Sequence, residues 1–85
     1  MSDDQKTAIS PAQCRAARAL LGMSQGTLAA DSGVSEKTVT DFERGVRSPQ
    51  PRTLRDLRAT LEKAGVLFLP ENGEGHGVRL RKEQK

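Results

Sequence analysis

"MSQGTLAADSGVSEKTVTDFERG", Met23 to Gly45, is the stretch whose reading decides the fold. Ser24 and Ser35 are N-cap residue types, each standing before a short helical run, and Gly33 lies between the runs, where the chain can take a positive φ and turn. Leu28 and Ala29 are the core positions of the first run, Val39 and Phe42 those of the second. Burying Val39 and Phe42 turns Lys37, Thr40, Asp41 and Arg44 outward, while Glu36 protrudes from the open first turn. Two short helices meeting at a glycine, the second with a polar outer face, form a helix-turn-helix arrangement. A helix of that kind fits the major groove of DNA, where base pairs differ in their donor and acceptor patterns.

Toward the N-terminus, Ser10 reads as an N-cap, Pro11 as the first helical residue and Gln13 as the far side of a capping box. Ile9 and Cys14 stand at the positions of a hydrophobic staple. Cys14, Ala17, Arg18 and Leu21 share one helix face, and Gly22 closes the helix. Toward the C-terminus, "VRSPQP" is a loop, because neither proline tolerates a helix interior. A fourth helix is expected from Pro51 to Ala64, with Leu54, Leu57 and Leu61 on one stripe and Gly65 as its stop. Val66 to Leu69 is β-prone, "PENGEGHG" is rich in turn residues, and Val78 to Arg81 alternates apolar and basic. The expected fold is therefore mainly α, four helices with a C-terminal β-hairpin. Residues 1–9 are expected to be a flexible N-terminal arm, 10–65 the helix-turn-helix domain, and 66–85 the hairpin and a basic tail.

Composition narrows the function. A chain of 85 residues is one small domain, and with 2% aromatics and no Trp or Tyr it does not line a large aromatic pocket. No apolar run is long enough for a membrane span, and the polar, acidic start is unlike a secretory signal. The lone Cys14 makes no internal disulfide, which suits a reducing cytoplasm, and with the lone His76 it leaves no zinc site. There is no P-loop and no supported Ser/His/Asp set, and "ENGEGHG" lacks the lysine and following helix of a phosphate loop. Catalysis, a cofactor and a small-molecule substrate are all unexpected. The net charge of +3 mildly favours a polyanionic partner.

The span "ARALLGMSQGTLAADSGVSEKTVTDFERGVRSP" resembles the Xre or Cro/C1-type helix-turn-helix family of phage and bacterial repressors, with the lambda-repressor-like fold. The Gly22 turn, "SQGTLA", "SGVSEKTV", "FERG" and the following proline carry the likeness, and "TLRDLRATLEKAG" resembles the family's next helix. It covers roughly Ser10 to Gly65. The resemblance implies a bacterial or phage DNA-binding regulator, cytoplasmic and nucleoid-associated when bound, with Glu36, Lys37, Thr40 and Asp41 at base-reading positions. Lysine donates to guanine and a carboxylate accepts from cytosine at such positions. It places Gln25 at a phosphate, where it also braces the reading helix, with Ser24, Ser35, Thr38, Arg44 and Arg47 as further phosphate contacts. It pairs Arg18 with Glu43, a structural ion pair that a charge on an apolar face requires.

A free strand edge in the hairpin, with Val78 and Leu80 on one face, suggests a homodimer that reads a pseudo-palindromic operator. The alternative is a hairpin that only caps its own core. A different function, a protein-binding adaptor such as an antiactivator or antitoxin, is suggested by Glu36, Asp41 and Glu43 standing against Lys37 alone on the reading helix.

Overall fold

Each described helix but the last begins on a serine whose side chain accepts from one of the free N–H groups of its first turn. The computed structural model describes residues 8–71 and 73–82. Its elements are α1 (Pro11–Leu21), α2 (Gln25–Ser32), α3 (Glu36–Glu43), α4 (Pro51–Ala64), β1 (Val66–Leu69) and β2 (Gly77–Leu80). Ser10 Oγ accepts from the Gln13 N–H at 3.0 Å and the Ser10 N–H donates to Gln13 Oε1 at 2.9 Å, the reciprocal capping box. Ser24 and Ser35 accept from the N–H groups of Thr27 and Thr38 at 3.0 and 3.1 Å. α4 starts on Pro51 with no side-chain cap from Gln50.

The turn between α2 and α3 passes through Gly33 at φ 76°, and the chain leaves α3 through Gly45 at φ 77°. At the second place the Gly45 N–H donates to Phe42 O at 2.9 Å and the Val46 N–H to Asp41 O at 3.0 Å, a Schellman closure.

The core is made of Cys14, Ala17, Leu28, Val39, Leu57, Leu61 and Val66, all without exposed surface, joined by Ile9, Ala29, Phe42 and Phe68. α3 packs on α2 and α1, α2 also on α4, and the hairpin lies over α1 and α4. β1 and β2 are antiparallel, with Val66 opposite Leu80 and Phe68 opposite Val78. Those four side chains share one sheet face. Val66 and Phe68 bury it into the core and Val78 is half-buried against it, whereas Leu80 at the open end stays 51% exposed. Gln13 Nε2 donates to Gly77 O at 2.8 Å and ties β2 to the start of α1. Arg58 reaches from α4 over the Phe68 ring, 5.5 Å from its centre, and pairs with Glu62 at 3.0 Å.

Two expected boundaries move. Ile9, assigned above to a flexible arm, is 3% exposed and belongs to the core, because the staple position puts it beside the first turn of α1. Residues 1–7 of that arm and the end of the basic tail, 83–85, lie outside the described residues. The last strand runs Gly77–Leu80 rather than Val78 to Arg81, although the Arg81 N–H still donates to Gly65 O at 2.7 Å. No described helix is long and apolar enough to cross a membrane.

Candidate nucleic-acid interface

One carboxylate decides how α3 sits. Glu43 is 2% exposed, and Arg18 grips it in a fork, Nε to Oε2 at 2.7 Å and Nη2 to Oε1 at 2.6 Å. Arg18 Nη1 donates to Met23 O at 3.0 Å, so the same guanidinium also holds the turn after α1. Cys14 Sγ donates to Glu43 Oε2 at 3.1 Å, and Arg15 Nη1 donates to the main-chain carbonyl of Glu43 at the end of α3. From α2, Gln25 Nε2 donates to Glu43 Oε1 at 3.0 Å while Gln25 Oε1 accepts from Thr40 Oγ1 at 2.9 Å. Three helices thus meet on one side chain. Among the described residues no buried side-chain polar atom is left without a partner.

The network sets the protonation of its members. Burial by itself would raise the Glu43 carboxyl, but hydrogen bonds from Arg18, then Gln25 and Cys14, outweigh it and hold the group below its ordinary value. Burial, and then the bond to Glu43, pushes the Cys14 thiol well above its ordinary range, so it stays a neutral donor. The Glu43 hydrogen bond raises Arg18 further into its charged form.

With its inner side locked, α3 presents Glu36 and Lys37 to solvent, and Arg44 and Arg47 are exposed just beyond its end. Lys37 Nζ lies 3.0 Å from Asp41 Oδ2, and Arg47 Nε lies 3.9 Å from the same oxygen. The family model HTH_3, helix-turn-helix, matches residues 15–65.

The chain belongs to the Xre/lambda-repressor-like helix-turn-helix family. Comparison with curated proteins finds no match. Family membership makes this a DNA-binding regulatory domain, and α3 is the second helix of its helix-turn-helix.

Measured against the expected surface of such a regulator, two residues sit differently. Thr40 and Asp41 do not stand fully outward. Both are half-buried, Thr40 because its hydroxyl turns back to Gln25 and Asp41 because it lies between two cations. Ser24 and Ser35 use their oxygens as helix caps and also contact Thr27 Oγ1 and Thr38 Oγ1, at 3.1 and 2.8 Å. Gln25 faces Glu43 and Thr40.

Arg15 and Thr27 were missed by the sequence reading. Thr27 carried a signal, since Ser24–Thr27 and Ser35–Thr38 repeat one Ser-x-x-Thr spacing at the starts of α2 and α3. Arg15 carried none, because its target is a main-chain carbonyl. Among the described residues no group of His, Cys, Asp and Glu could hold a metal ion.

Proposed function

We propose that this chain is a sequence-specific repressor that binds double-stranded DNA as a homodimer and occupies a pseudo-palindromic operator in its own or a neighbouring promoter. The observation that carries the reading is the lock on Glu43. It fixes α3 against α1 and α2 while Glu36 and Lys37 stay exposed, so the reading side chains ride on a rigid helix. Arg44 and Arg47 leave the helix end as cations for phosphate, and Thr38 and Gln25 offer further donors beside the two capped N-termini. Repression needs only occupancy of a promoter.

Selection from a random duplex pool, followed by binding of the winner and a scrambled duplex across a salt series, tests this. The expected result is an enriched palindrome that outcompetes the scramble, with half-sites about one helical turn apart. Its affinity falls with salt at a log–log slope of about −0.9 per phosphate neutralised.

One observation favours a second reading, a protein-binding adaptor. The outer face of α3 holds its only lysine against Asp41, which lowers the positive charge available to phosphate. No enrichment from the pool, with salt-insensitive capture of a protein partner, would establish the adaptor instead.

A further inference from the structure

Asp41 is poorly placed on local grounds. It lies in the last turn of an eight-residue helix, where the helix dipole disfavours an anion. Its lysine partner precedes it by four residues, the weaker order for such a pair. It also stands on the face proposed above to meet phosphates. Yet its side chain is only 14% exposed, and one oxygen, Oδ2, serves cations from two segments: Lys37 at 3.0 Å from within α3 and Arg47 at 3.9 Å from the loop beyond it. The main chain of Asp41 ties the same loop, accepting from the Val46 N–H at 3.0 Å one residue before Arg47. Both cationic side chains stay open to solvent while they face that oxygen: Lys37 is 79% exposed and Arg47 52%.

We propose that Asp41 is a positioning residue and not a base reader: its carboxylate sets Lys37 on the helix and Arg47 on the loop in fixed relation to each other. This rests on the DNA-binding reading above. A long lysine side chain samples many rotamers, and holding it at one carboxylate reduces what must be ordered on binding. The second cation on the same oxygen couples base reading at Lys37 to the backbone contact at Arg47. A register error that moves one then misplaces the other, so Asp41 raises discrimination more than affinity.

The test begins with wild-type protein and the random duplex pool, then measures the selected and scrambled duplexes with variants. Asp41→Asn keeps the shape and removes the charge. It is expected to bind the scramble more tightly, because one negative charge is gone, while the ratio of selected to scrambled affinity falls about tenfold. That loss should disappear in a Lys37→Met background, and Asp41→Glu should restore much of the ratio. The melting temperatures of all variants are recorded. A second cycle, Lys37→Met against Arg47→Met with Asp41 intact, should also be non-additive, which reads the link without touching the carboxylate.

An equal loss of ratio from Asp41→Asn with and without Lys37 would overturn the proposal and make Asp41 a direct reader. An unchanged ratio would overturn it too, leaving a solvated ion pair. If wild-type protein enriches no duplex, the DNA-binding reading itself fails and this inference falls with it, an outcome visible before any variant is made.

Discussion

Glu43 is buried to 2% exposure, and its partner Arg18 keeps 20% of its side chain in contact with solvent. That asymmetry predicts unequal costs for breaking the pair. Arg18→Met strands a buried carboxylate and should cost about 3–5 kcal/mol, whereas Glu43→Gln leaves a guanidinium that can turn to water and should cost clearly less. Urea unfolding of the two variants checks the order, and a larger loss for Glu43→Gln would reverse it. The same residue predicts a pH dependence. Folding lowers the Glu43 pKa, so its contribution to stability is complete above its ordinary value of about 4.5 and is lost as pH falls through the folded value. Cys14 acts at the other end, since folding raises its pKa: its contribution is complete below the thiol's ordinary 9.0 and declines above it. Urea midpoints should drop below about pH 4.5 in the wild type, and Glu43→Gln should flatten that drop.

At the scale of the element, α2 and α3 are eight residues each, too short to hold a helix alone. Their ends and their mutual packing supply what propensity does not. Ser35→Ala removes the cap of α3 and should cost about 1 kcal/mol. Gly33→Ala isolates backbone strain, because an added Cβ would meet nothing within 4 Å and the cost, about 1–2 kcal/mol, would come only from the φ of 76°. Both are read from denaturant midpoints at unchanged slope. If Gly33→Ala is neutral, the turn has relaxed to another conformation. A cap loss at Ser35 should also weaken DNA binding beyond the stability change, since the cap fixes the end of α3 that carries Glu36 and Lys37.

Over the whole molecule, the hairpin serves the protein's own core on one side and remains open at its end. Val66 and Phe68 are buried and Val78 is half-buried, so truncating them would loosen the domain itself. Leu80 is different: it lies on the same sheet face, at the open end of the hairpin, yet is 51% exposed. If the proposed homodimer uses this end of the strand, Leu80→Asp should halve the mass measured in solution while leaving the melting curve of the single domain close to wild type. An unchanged mass would assign the hairpin to its own core alone, and any pairing of protomers on DNA to another surface.

Local signals in the sequence were enough for the elements. Serine caps, proline starts, glycine stops and the Leu54, Leu57, Leu61 stripe act over three or four residues, so the helices and the hairpin were legible without any long-range contact. The Arg18–Glu43 pairing was implied by the family resemblance, on a charge that stood on an apolar face. Tertiary structure alone decided the rest, because it depends on which groups meet across helices. Arg15 finds a carbonyl on α3 and Thr40 turns inward to Gln25. Helical periodicity gives the direction of a side chain but not the partner waiting there, and for a polar side chain the partner determines whether it faces the protein or the duplex.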